Sequence, residues 1–452
     1  MKNFCFKKEL VVMAMMLYCG VVFSQNTQDV YSAVVPNLDN LTVRTSSNGD
    51  AVISGRSYGD NHGNVYSEFI KFDQNVSASR QITINYYGIN DFCVLDGYVY
   101  FCGGDGNAPY FGYFKESYFN NTTPFYATIF KLPGDFANKI TAYIDDATHN
   151  VVVTIVGGEY DFIGCPDAFK IAKSHLVVGQ INGSTFNYFD YSVIVSNYCY
   201  YNFDVPFQDV ISTDDYIVAT GMETSSSSHS IILSRIKKAN LNTREYVSFT
   251  DPAYSAVESP VLLESLEGND VAFSSLYMDM TNTIFYSRVY TCDMNSFTNQ
   301  SVQDVLLPQK TMPDDLLYLP YDQSLLLLLT AGDFPSHGHL SSIVYYLDPY
   351  ANVSYTADFM YDENLRWHSL DRMPVSHFVV GGKKISDTRS YVIRDKQAGT
   401  VSQCHHFSTT NVTIEPVLTG SPVSETVTES TVLEKEIECT PSDIVLYQGC
   451  SD

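Results

Sequence analysis

The chain is poor in positive charge, in tryptophan and in long apolar runs. Lys and Arg number 26 against 51 Asp and Glu, a net charge of −25. An acidic surface of that size argues against nucleic acid and anionic membranes as general partners, because both require a basic face. Trp367 is the one tryptophan. Beyond the first 24 residues no segment is long and apolar enough to span a bilayer, which takes ~20 residues, so no transmembrane segment is expected. Helical periodicity is absent, which excludes helical bundles and doubly wound folds. No C-x-x-C pair is present, so a zinc ribbon is not expected. Nucleophile-elbow, H-E-x-x-H, P-loop and dinucleotide fingerprints are also missing.

Apolar residues nonetheless make up 45% of the 452 residues, and charged residues 17%. That is enough apolar surface to offset chain entropy, so the chain folds. Residues 1–24 have the form of a secretory signal peptide. Lys2, Lys7 and Lys8 precede the apolar stretch from Val11 to Val22, and Ser24 sits at a small-residue cleavage position. The expected location is outside the cytoplasm, secreted or on the exterior of the cell envelope. Eight cysteines lie beyond residue 24, an even number that permits disulfides in an exported protein. Cys439 and Cys450 could close a small loop, and Cys93 and Cys102 fall on adjoining strands. Buried thiols are the plainer reading of the same residues.

A pattern recurs along the chain: a polar turn, an apolar run ending in Gly, a polar loop, then an aromatic or β-branched run. Examples are SSNGDAVISG (46–55) with NVYSEFIKF (64–72), and VLDGYVYFCGG (94–104) with YFGYFKES (110–117). The first runs end at Gly55, Gly103, Gly157, Gly221, Ser274, Gly332 and Gly381, so the pattern returns about every 54 residues. Asn48-Gly49 and Asp96-Gly97 read as tight hairpin turns whose central residues take positive φ. Runs such as VVVTIV and LLLLL suit strands buried on both faces. A strand-like segment precedes each turn and another follows each second run. Four strands per repeat predict an all-β chain, a β-propeller of seven four-stranded blades over residues 25–417. Residues 418–452 are rich in Ser, Thr and Glu, a tail or a strand that closes the ring.

Gly103-Gly104, Gly157-Gly158 and Gly381-Gly382 each end an apolar run. In this the chain resembles the kelch repeat, whose second strand ends in a glycine doublet. The pattern covers residues 41–417, and three of the seven repeats carry the doublet. The resemblance implies a fold that hosts both enzymes and binding proteins.

In a propeller, the loops between second and third strands share one face with the connections between blades. Those loops hold Asp60, Asp105, Asp161, Asp279, Asp333 and Asp387, with Tyr58, Tyr110 and Tyr277 beside them and Arg56, His62 and His337 nearby. The carboxylates could bind sugar hydroxyls or hold Ca²⁺ through oxygen ligands. Aspartate is also common in turns simply because it bonds the nearby backbone. His337-Gly338-His339 lacks the four ligands of a structural zinc site. No cofactor is expected, beyond that Ca²⁺ possibility. The expected function is a secreted, non-catalytic binder of a glycan or protein at the loop face. The alternative is a carbohydrate-active hydrolase or lyase using loop carboxylates.

Overall fold

The computed structural model describes residues 28–448 apart from 35–37, 59–64, 73–78, 86, 105–107, 162–169, 195–206, 225–228, 251–260, 280–283, 308–310, 322, 332–340, 350–353, 360–364, 374–377, 385–388, 396–405, 410–411, 415–421 and 444–445. The fold is all-β: strands make up 76%, and the strands curl into a nearly closed, barrel-like arrangement. Among the described residues the helical content is one 3₁₀ turn, Glu116–Asn120, and no helix is long and apolar enough to cross a membrane.

The recurring element is an antiparallel meander. The first meander is Leu38–Thr45, Ala51–Tyr58, Val65–Phe72 and Ser79–Asn85. The second is Gly88–Leu95, Tyr98–Gly104, Pro109–Lys115 and Phe125–Lys131. The third is Phe136–Ile144, Val151–Asp161, Lys170–Asn182 and Thr185–Ile194. The fourth is Asp209–Ser212, Tyr216–Thr224, His229–Lys237 and Thr243–Thr250. The fifth is Leu262–Ser265, Asp270–Asp279, Ile284–Asp293 and Thr298–Leu307. The sixth is Thr311–Leu319, Ser324–Ala331, Ser341–Leu347 and Ser354–Phe359. The seventh has three consecutive strands, Leu365–Arg372, Phe378–Lys384 and Arg389–Asp395. Its fourth strand comes from the other end of the chain: Gln28–Val34 pairs antiparallel with Arg389–Asp395.

The first strands touch one another in chain order, and that of the seventh meander touches that of the first. The apolar cores lie between successive meanders. Val52, Phe69 and Ile82 of the first pack with Phe92, Phe101 and Phe114 of the second. Leu316, Leu325, Leu327 and Leu329 of the sixth pack with Ala272 and Val289 of the fifth. This is why VVVTIV and LLLLL are uninterrupted: a strand between two such cores is buried on both sides.

The C-terminal strands run round the outside. His406–Thr409 pairs with the sixth meander, Val412–Ile414 with the fifth and Val423–Thr426 with the fourth. Glu429–Asp443 then pairs in turn with the third, second and first, joining those three meanders into one 13-stranded sheet. Leu446–Gln448 pairs with Gln28–Val34.

Two local expectations are corrected. At Asp96-Gly97 both residues have positive φ, 49° and 72°, as a two-residue turn of that type requires. At Asn48-Gly49 only Gly49 does, at 83°. There the turn is longer, Gly49 N donates to the Ser46 carbonyl at 2.9 Å, and the Asn48 side chain accepts from Asp50 N at 3.1 Å. Cys93, Cys102, Cys292 and Cys439 are thiols. Cys93 and Cys102 do lie on paired strands, but in register Cys93 faces Tyr100 and Cys102 faces Asp91, so they are not opposite each other. Cys450 lies outside the described residues.

Candidate functional site

Among the described residues, each first strand is hydrogen-bonded to its own second strand and to no other. Its inner edge therefore carries backbone N–H and C=O groups with no strand beside them. In five of the seven a register shift interrupts the pairing, and the residues that follow it are Thr42, Asp91, Lys139, Asp315 and Ser369. Such bulges re-aim side chains. Asp209 opens the first strand of the fourth meander. Two residues on, and so on the same strand face, stand Arg44 after Thr42 and Asp371 after Ser369. Glu264 lies on the first strand of the fifth meander. Every meander thus contributes an ionisable group from its innermost strand.

These groups bridge neighbouring meanders. The Asp91 carboxylate accepts from Arg44 Nη2 at 3.0 Å and from Ile140 N at 3.1 Å. Asp209 accepts from Leu263 N at 3.0 Å. Glu264 accepts from Tyr318 N at 3.3 Å. Asp315 accepts from Leu370 N at 2.8 Å and from Ser369 Oγ at 3.0 Å. Asp371 accepts from Thr45 N and, at 3.0 Å, from Thr45 Oγ1. In each case the carboxylate satisfies an amide on the first strand of the next meander.

Burial shapes their acidity. It pushes the Glu264 carboxyl up to about 8, reinforced by Asp315 and Asp371 and opposed by the Tyr318 amide. It pushes Asp209 up to about 6 against the pull of Lys139. Asp371 is raised for the same reason, with Arg44 opposing. Burial disfavours the Lys139 ammonium, but the fields of Asp91, Asp209 and Asp315 outweigh it and hold the amine above its ordinary value. The chemistry available here is a set of carboxyl groups, among them Glu264 held protonated at neutral pH, beside the cations Arg44 and Lys139. Among the described residues no group of three or more His, Cys, Asp or Glu is arranged to hold a metal ion.

The loop end is the second candidate. Antiparallel meanders bring the ends of all second strands and the starts of all third strands to one side. Arg56, Asp161, Tyr277 and Asp279 stand near the ends of their second strands, opposite Ser67, Lys170, Tyr286 and Ile284. Tyr110 starts the third strand of the second meander, and its ring meets that of Tyr87 edge-on at 5.5 Å. Asp60, His62, Asp105, Asp333, His337 and Asp387 lie outside the described residues. In the third meander the Nδ1 of His175 is 3.0 and 3.1 Å from the two carboxylate oxygens of Asp190. That fixes the ring, with the Nδ1 proton facing the carboxylate.

The sequence reading did not select Arg44, Asp91, Lys139, Asp209, Glu264, Asp315 or Asp371. A signal was present: an ionisable residue breaks each short run before a hairpin, as in TVRTS, NDFCVL, NKITAY and QDVIS. No protein-family model matches the chain, and no curated protein matches it.

Proposed function

We propose that the chain is a secreted seven-bladed β-propeller, kelch-like in its repeat, that binds a glycan or a protein at its loop end. The meanders are the blades, Gln28–Val34 closes the ring, and residues 1–24 direct export. The cyclic contact of the first strands supports the propeller. One observation carries the non-catalytic reading: the carboxylates of the first strands are committed to backbone amides of the neighbouring first strand. Such groups hold the ring together and are not poised for proton transfer. Ligand contact then falls to the loop residues Arg56, Asp60, His62, Asp105, Tyr110, Asp161, Tyr277, Asp279, Asp333, His337 and Asp387. The Tyr87–Tyr110 pair gives that end an aromatic edge on which a sugar ring can stack.

A thermal-shift screen of residues 25–452 against polysaccharides, oligosaccharides, Ca²⁺ and a chelator tests the reading. A ligand at 100 times its Kd stabilises by ~2.7 kcal/mol. Tyr110→Ala should abolish a glycan-induced shift while leaving the melt of the free protein within a few degrees. A glycan shift untouched by Tyr110→Ala and Arg56→Ala would remove the loop end as the site. The alternative, a hydrolase or lyase, draws on Glu264, a carboxyl held protonated beside other carboxylates, as a general acid is. Released reducing sugar that disappears in Glu264→Gln would favour it.

A further inference from the structure

The C-terminal strands are held to the ring by backbone pairing more than by buried side chains. From residue 422 to 440 every side chain is exposed or half-buried except Ile437 and Cys439. Val423 and Leu433 are 49% and 69% exposed. The strands they cover differ: Phe125, Ala127, Ile129 and Phe130 beneath Glu434–Cys439 are buried. An element with few buried groups opens at a lower free energy than the core it covers.

Two fixings lie deepest, and the half-buried Val427 and Val432 also pack against neighbouring cores. Ile437 and Cys439 enter the core between the first and second meanders. Glu425 pairs with Arg244 at 2.5 Å, and the guanidinium lies among the rings of Tyr191, Phe207 and Tyr246 at 5.8, 4.9 and 4.6 Å. Arg244 is 3% exposed, so its charge is buried and Glu425 is its counter-ion. If both fixings release, the outer strands of the meanders present bare edges, together with an apolar slot and a caged cation. A bare edge accepts another strand, and the slot and the cation choose which one. The sequence that matches both is the one already there.

We propose that the strands from Val423 to Gln448 act as one detachable strap, and that the edge it leaves takes the same strap from a second copy of this chain. The register is built in: Leu433 against Thr185, Cys439 against Phe125 and Asp443 against Arg80.

The thiols supply the test. Cys102, Cys292 and Cys439 are all 0% exposed, and burial raises the pKa of each thiol. Cys102 and Cys292 sit inside the second and fifth meanders, whereas Cys439 travels with the strap. The full-length protein is incubated with iodoacetamide under native conditions, and alkylation of each cysteine is followed by peptide mass spectrometry. Cys439 should be alkylated at least tenfold faster than Cys102 and Cys292. A fluorescent peptide of residues 421–448, mixed with the full-length protein, should gain anisotropy and saturate at one per chain. The same peptide carrying Glu425→Lys should bind at least tenfold more weakly. Equal alkylation rates at the three cysteines would overturn the strap as a separate unit. No peptide uptake under conditions that alkylate Cys439 would overturn the exchange.

Discussion

The inner and outer edges of this molecule face the same physical problem and meet it differently. A β-meander has two bare edges, and each leaves backbone amides and carbonyls in need of partners. At the inner edge the partners are side chains: Asp91, Asp209, Glu264, Asp315 and Asp371 reach across to the amides of the next first strand. At the outer edge the partner is main chain, supplied by the strands between His406 and Gln448. A carboxylate satisfies one or two donors and brings a charge that must be balanced in a crowded place. A strand satisfies several groups per meander, and the one charge it brings to a buried partner is Glu425 against Arg244. The inner solution is therefore brittle and sensitive to pH, and the outer one is tolerant of side-chain identity except at Glu425, Ile437 and Cys439.

The largest break in that comparison is expected at Asp91. Asp91→Ala removes the acceptor for Ile140 N and the carboxylate paired with Arg44, leaving that guanidinium only the fields of Asp371 and Asp315. Loss of one partner of a buried pair costs ~3–5 kcal/mol. Chemical denaturation should show the midpoint falling accordingly, and a change below ~1 kcal/mol would mean that the first-strand carboxylates do not hold neighbouring meanders together.

Glu264 tests the sign of the pH dependence. Its carboxyl is raised to about 8 in the folded chain, above the ordinary value of 4.5. The folded state therefore binds a proton that the unfolded state releases. The associated stability is full below the ordinary carboxyl value and is lost as pH rises through about 8. Glu264→Gln keeps an oxygen acceptor for Tyr318 N and carries no charge. It should be nearly neutral at pH 4 and stabilise by several kcal/mol at pH 9, read from melting curves at both. Stabilisation at pH 4 alone would reverse the argument.

Outside, Glu425→Gln should cost ~1–2 kcal/mol, because Arg244 keeps a hydrogen-bond partner and its aromatic box but loses its counter-ion. The smallest effect belongs to Leu433→Thr. That side chain is 69% exposed, so its removal should move the denaturation midpoint by less than ~0.5 kcal/mol. A larger loss would show that the outer strands hold by side chains after all.

The second strands were the most legible part of the chain, because their apolar runs and terminal glycines carry the strand signal alone. Gly157 shows why glycine stands there: a Cβ would sit 2.1 Å from the Phe136 carbonyl oxygen of the first strand. The first strands were harder to read. An acidic residue in a four-residue run such as DVIS reads as solvated, since sequence alone does not show that five such residues reach the amides of neighbouring first strands. Aspartates in loops drew attention for the opposite reason: turns favour them whatever the function. Residues 418–452 could be read only as a tail or as a closing strand. The exposed Ser, Thr and Glu side chains between residues 422 and 442 are what a strand shows when it lies outside everything else.

The pairing of Gln28–Val34 with Arg389–Asp395, and of Ile84 with Cys439, also sets a timetable. The first strand of the chain waits for residues some 360 positions away before it has a neighbour. The entropy of closing so long a loop grows only with the logarithm of its length, so the equilibrium tolerates it. Folding speed does not, because contacts so distant in sequence form late. The inner meanders, whose strands are neighbours in sequence, should assemble early, and both circumferential closures should appear together as the slowest phase of refolding.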